Sequence, residues 1–199
     1  MNHPLDLVVD RIARRKGVVF EFSKYIYKPQ VLDDSRQVFS VNGEQLKNDR
    51  LKSHIDLLSA KEEIAIHSKL LINGRIQHIP MIDLACDLDV LAESYSILNA
   101  LVFSKIKGNF FLYKSGNSAH VYGDRLIGIS EWFRLQGLLL LCNLPGRPKI
   151  VDDRWIGHRI IARYSSLRLT CNSLASKQAG KIEPILLRGF SGAEFSVSE

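Results

Sequence analysis

The chain has 199 residues, of which 46% are hydrophobic, with a mean hydropathy of −0.02, a formal net charge of +6 and a pI of about 9.3. These values predict a soluble, cytoplasmic globular protein with no membrane partner: the longest apolar run, Leu138–Leu144, is too short to span a bilayer, and Asp6 and Asp10 break any signal-peptide layout. Cys86, Cys142 and Cys171 lie far apart without C-x-x-C spacing, which argues against a disulfide framework or a zinc site, and the basic balance favours anionic partners, nucleic acid above all.

Residues 4–16 read as a short amphipathic helix with Leu5, Val8, Val9 and Ile12 on one side. The basic run "RIARRK" at its end suits a helix C-terminus, and Gly17 suits its cap. "VVFEFSKYIY" (Val18–Tyr27) is rich in β-branched and aromatic residues and predicts a strand. Asn42-Gly43 in "VFSVNGEQLK" predicts a hairpin turn, and a brief helix follows around Asp49–Ala60. Two strands joined at Asn73-Gly74 come next, with Ile64, Ile66 and Ile72 before the turn and Ile76 and Ile82 after it.

Residues 88–103 predict an amphipathic helix, "GNFFLYKSGNSAHVYG" a second hairpin, and residues 128–141 a buried helix. "RPKIVDD" reads as a strand, "RWIGHRIIARY" as a helical turn and "SSLRLT" as a strand. In the tail, "EPILLRGF" is an apolar piece that returns to the core. This order predicts an α+β fold on an antiparallel or mixed sheet. No linker stands out, so residues 1–199 are read as one domain, with an N-terminal αβ part at 1–75, a central part at 76–173 and a tail at 174–199.

Three segments place polar groups at the ends of apolar strands. In "HIPMIDLACD", Asp83 closes a buried run, where an acid is costly unless paired or bound to metal. In "SGNSAHVYG", a glycine-containing turn precedes Ser118 and His120, and such a turn can aim backbone N–H groups at an anion. In "KIVDDRWIGHR", Asp152 again ends an apolar run. Carboxylates that hold a divalent metal against triphosphate oxygens, a histidine and cationic side chains are what nucleotidyl transfer needs, and Arg159 and Arg168 supply the cations.

Read singly, each residue has a plainer role. Asp83 can face water at a strand end, His120 can be a hairpin histidine, and Asp152 or Asp153 can cap the turn "DDRW". Arg159 and Arg168 can be surface arginines, His158 a bystander, and Trp132 and Trp155 core residues. No Walker loop, His-Glu-x-x-His or Gly-x-Ser-x-Gly occurs. A relaxase-type domain is ranked last, because it needs a histidine pair that this sequence lacks.

The ordered set "IDLA" (Ile82–Ala85), "SAH" (Ser118–His120) and "VD" (Val151–Asp152) resembles the Asp-x-Asp, Ser-x-His and hydrophobic-Asp motifs of the archaeo-eukaryotic primase superfamily, over roughly residues 76–173. The resemblance implies an RRM-like sheet with an N-terminal αβ unit and a site for nucleoside triphosphate, Mg²⁺ or Mn²⁺ and a DNA or RNA template. It assigns metal binding to Asp83 and Asp152, phosphate contacts to Ser118 and His120, and charge neutralisation to Arg159 or Arg168. Asp83, His120 and Asp152 would be the catalytic set. The sequence departs from the pattern at Ala85, where the family has its second acid. Asp87 shares the strand face of Asp83 but lies roughly 13 Å along it, and substitutes only if the chain turns sharply after Leu84. Two readings follow: a primase-polymerase-type nucleotidyltransferase, or a primase-like subunit that has lost catalysis and serves nucleic-acid binding or assembly, beside a helicase or another subunit.

Overall fold

In the computed structural model, described for residues 3–26, 36–48, 50–116, 118–172 and 182–185, the chain forms two antiparallel sheets with six α-helices around them. The expected α+β class is what the structure has. Helix α1 (Pro4–Arg11) begins where the His3 ring accepts the Leu5 N–H at 3.2 Å and the Asp6 carboxylate accepts the His3 N–H at 3.0 Å. It buries Leu7 and Val8 and ends at Arg11, short of the predicted Lys16. The chain then passes through Gly17, whose φ of +73° is left-handed, into strand β1 (Val18–Ile26).

The first sheet has the order β2 (Gln37–Asn42), β1, β3 (Glu62–Ile72), β4 (Arg75–His78). Strand β8 (Ser166–Arg168) also pairs with β3, opposite Ala65, Ile66 and His67. The predicted turn at Asn73-Gly74 joins β3 to β4, with both residues at positive φ. Asn42-Gly43, by contrast, makes no hairpin. Asn42 is the N-cap of α2 (Gly43–Lys47): its Oδ1 accepts the Gln45 N–H at 2.8 Å, and the Gln45 side chain accepts the Asn42 N–H at 3.1 Å. Asparagine serves a capping box as readily as a turn, and the glutamine three residues on decided between them. Helix α3 (Arg50–Asp56) follows.

Strand β5 (Met81–Asp83) opens the second sheet, whose order is β5, β7 (Ser118–Gly123), β6 (Phe110–Ser115), β9 (Ile182–Ile185). Strand β9 is the described part of the tail segment expected to return to the core, and the rest of that segment lies outside the described residues. The chain crosses between the sheets at Ile79 and Pro80, where the Ile79 N–H reaches the Ser68 carbonyl at 2.8 Å and the Gly123 N–H reaches the Pro80 carbonyl at 2.8 Å. Helix α4 (Leu88–Leu98) runs into a π-helical turn (Asn99–Phe103), and α5 (Ile129–Leu141) buries Trp132, Leu135 and Leu139.

"RPKIVDD" is not a strand: Val151 alone makes a β-bridge, to Leu84. The Asn143 side chain takes the place of a neighbouring strand. Its Oδ1 accepts the N–H groups of Ile150 at 2.9 Å and Val151 at 3.1 Å, and its Nδ2 donates to the Val151 carbonyl at 3.0 Å. The expected helical turn after it is a full helix, α6 (Asp153–Ala162). One apolar cluster, with Leu7, Phe20, Phe22, Ile66 and Leu70, lies under the first sheet; a second, with Ile82, Val121, Trp132, Val151 and Ile156, lies under the other. Trp155 packs against both.

Candidate functional site

The three segments singled out in the sequence stand side by side. The end of β5 has β7 on one flank, with Asp83 directly opposite His120. On the other flank, the Asp152 N–H donates to the Asp83 carbonyl at 3.2 Å and the Ala85 N–H to the Ile150 carbonyl at 3.0 Å. Asp83, His120 and Asp152 are thus brought together by backbone pairing over a span of the chain that no local rule relates.

His120 is 6% exposed, and its Nε2 lies 3.6 Å from Asp83 Oδ1, too long for a hydrogen bond. Burial, reinforced by the charge of Arg168, pushes the imidazole down to about 3, so it is neutral at physiological pH. Among the described residues its buried Nδ1 has no hydrogen-bond partner, and neither has the hydroxyl of Tyr122, whose ring meets His120 edge-on at 6.4 Å. The Asp83 side chain keeps a quarter of its surface exposed. Burial, and then the like charge of Asp152, raise its carboxyl to about 7 against the opposing pull of Arg168 and Arg159. Asp152 is the N-cap of α6, and its Oδ1 accepts the Trp155 N–H at 2.9 Å.

Arg168, on β8, belongs to the first sheet but donates from Nη2 to Ser115 Oγ at 3.2 Å, across to the mouth of the β6–β7 hairpin. Ser118, half-buried, pairs with Ser115 there and shares a strand face with His120. Gly116 turns that hairpin at a φ of +74°, while Asn117 lies outside the described residues. Arg159, on α6, lies with its guanidinium 5.8 Å from the Tyr164 ring, and its charge reaches Asp83. His158 is half-buried on the same helix. His78 is a structural residue: wholly buried, it meets Ser68 Oγ at 3.2 Å and stacks on Trp132 at 5.2 Å. Trp132 is fully buried, as expected.

Two neighbours escaped the sequence reading. Ser115 steadies Arg168, and the buried His67, 3.6 Å from Glu21 and stacked on Tyr164, shares the field of Arg159. Ser115 opens the segment "SGNSAHVYG" but was given no role there, and His67 belongs to no motif. The alternation of "EEIAIHSKL" sets His67 on the strand face opposite Ile64, Ile66 and Leu70, so periodicity gave no signal of its burial.

The second acid of the resembling pattern is missing in space as well as in sequence. Ala85 is exposed beyond the strand end, and Asp87 serves as the N-cap of α4, accepting the Val90 N–H at 2.9 Å. Among the described residues no three His, Cys, Asp or Glu side chains are grouped to hold a metal ion. The donors at this site are Asp83 and Asp152, the latter with one oxygen engaged in a cap. Such a pair does not fit a resident ion. It does fit a Mg²⁺-type cation that draws most of its ligands from substrate phosphates and water. Among the described residues no helix is long and apolar enough to cross a membrane.

The family model described as archaeo-eukaryotic primase 1D-like matches residues 42–181, more than half of the chain and all three motif segments. No curated protein and no solved structure gives a match. The chain belongs to the archaeo-eukaryotic primase-like family.

Proposed function

We propose that this domain binds a nucleoside triphosphate at the Asp83–His120 rung, with a nucleic-acid template beside it, as a primase-polymerase-type nucleotidyltransferase. The observation that carries the reading is the pairing of residues 150–152, 83–85 and 118–120 as three adjacent segments, with two carboxylates, a neutral histidine and the fields of two arginines converging on one strand end. In this reading Asp83 and Asp152 hold a Mg²⁺ or Mn²⁺ that arrives with the triphosphate and neutralises its oxygens. Ser118 and His120 contact phosphate, and Arg168 and Arg159 oppose the negative charge. The raised carboxyl of Asp83 supports this, since a cation or an ordered donor group relieves the repulsion between the two acids. The chain acts as one unit over 1–199, supported by Trp155 packing into both cores.

Ala85 favours a second reading, in which the same site binds nucleotide or nucleic acid without turnover and the domain works in an assembly beside a helicase or another subunit. A primer-synthesis and extension assay with Mn²⁺, run beside fluorescent nucleotide binding, separates the two. The first reading expects synthesis in the wild type that is lost in Asp83→Ala and Asp152→Ala. Nucleotide binding without synthesis selects the second. Nucleotide binding that neither substitution changes overturns both.

A further inference from the structure

We infer that the end of the first sheet remote from Arg168 is a docking surface for the phosphodiester backbone of a single-stranded nucleic acid. Arg11, Arg14, Arg15 and Lys16 are all exposed, and they lie within six residues of sequence. A basic run at a helix end is ordinarily explained by the helix dipole, an effect confined to the last turn. Here α1 ends at Arg11, so Arg14, Arg15 and Lys16 stand beyond the helix and that explanation does not reach them.

The fold adds cations from elsewhere in the chain to this run. Val18, just after the turn, pairs with Ile72, which pairs with Arg75, so one rung of three strands carries the exposed Arg75 to within about 10 Å of the turn. Gly17 and Asn73 are in contact, a Cβ on the glycine falling 2.7 Å from Asn73 Oδ1. Gly43, at the start of α2, abuts the Ala13 carbonyl and Val18, which brings the exposed Lys47 to the same end. Among the described residues, the acids beside these cations are Asp10, 3.7 Å from Arg14 with both side chains at least half exposed, and Glu44. They offset two of the six cations at this end, Arg11, Arg14, Arg15, Lys16, Lys47 and Arg75.

This excess of positive charge suits a polyanion. From Ile72 to Ala65, the residue opposite Arg168, is seven residues of β3, roughly 23 Å, so an oligonucleotide and not a mononucleotide spans surface and site. The inference rests on the nucleic-acid partner proposed above but assigns it to residues outside the Asp83–His120 site.

The test is fluorescence anisotropy of a labelled single-stranded oligonucleotide against the full chain across a salt series. The variants are R14E/R15E/R75E and a milder R14Q/R15Q/R75Q, both checked for an unchanged thermal midpoint and unchanged nucleotide binding. Expected is a tenfold or greater loss of oligonucleotide affinity at low salt and a fall in the log–log salt slope of about 2, at ~0.7 per phosphate contact. Arg168→Gln should weaken nucleotide binding while leaving most of that slope intact. Unchanged affinity and slope in both patch variants overturn the inference while leaving the nucleotide site standing. It is also overturned if the variants lose binding to phosphatidylserine vesicles but not to the oligonucleotide, which identifies a membrane surface instead.

Discussion

Replacing Asp83 by asparagine should make the protein more stable above neutral pH and leave it nearly unchanged in acid. The Asp83 carboxyl is raised from 3.8 to about 7 by burial and then by Asp152. Between those values the unfolded chain has released this proton and the native chain retains it. Unfolding therefore releases a proton, and native stability falls as pH rises through the window. The contribution of the protonated carboxyl is whole below pH 3.8 and gone above about pH 7. At 1.36 kcal/mol per pH unit the gap amounts to up to about 4 kcal/mol, a large part of the ~5–15 kcal/mol that stabilises a typical domain. Three buried histidines act in the opposite sense over an overlapping range. His120, His67 and His78 are depressed from 6.5 to about 3, 4 and 4, so their contribution is present above pH 6.5 and lost as pH falls. The wild-type profile mixes the two slopes, and the difference between wild type and Asp83→Asn isolates the carboxylate. Urea midpoints of both proteins from about pH 4 to about pH 8 measure it. The variant should match the wild type near the acid end and exceed it progressively, by up to about 4 kcal/mol, near the basic end. An offset that does not vary with pH, or a variant less stable than wild type at basic pH, refutes the reasoning: Asp83 would then be an ordinary carboxylate held by Arg168.

Asn42→Ala should cost about 1 kcal/mol in urea unfolding, through loss of the reciprocal cap with Gln45 and not through any hairpin. Gly43→Ala should cost about 1–3 kcal/mol, because its Cβ would sit 2.6 Å from both the Ala13 carbonyl oxygen and Val18 Cγ1. His78→Leu should flatten the acid limb of the stability profile between pH 6.5 and about 4, read by thermal melting, since the buried histidine that must charge there is gone. Ala85→Asp returns an acid to an exposed position beside the strand end and should raise Mn²⁺-dependent primer synthesis by roughly tenfold or more, equivalent to about 1.4 kcal/mol of barrier. No gain over wild type in that assay argues that the missing acid is not what limits the site.

Much of the fold was legible because it is written in local rules. Alternating apolar residues marked β3, Asn73-Gly74 marked its hairpin, and the apolar run at 128–141 marked α5. The misreadings came where one local pattern serves two structures. Asn42-Gly43 suits a turn and a cap alike, and "KIVDD" carries strand residues that meet a single backbone bridge, at Leu84, while the side chain of Asn143 takes up their other side. The basic run after α1 was read as a helix terminus because periodicity does not show where a helix stops.

By itself the sequence determined the order of the motif segments, the α+β class and the identity of each polar group in the site. Only the tertiary structure decided that residues 150–152 flank Asp83 on one side while His120 flanks it on the other, and that Arg168 crosses from the first sheet to reach Ser115. The reason is physical. A side chain's chemistry belongs to its residue, but its charge state depends on burial and on which charges lie within a few ångströms, and long-range strand pairing sets both. That pairing raises the carboxyl of Asp83 and keeps His120 neutral, though the two lie far apart in the chain.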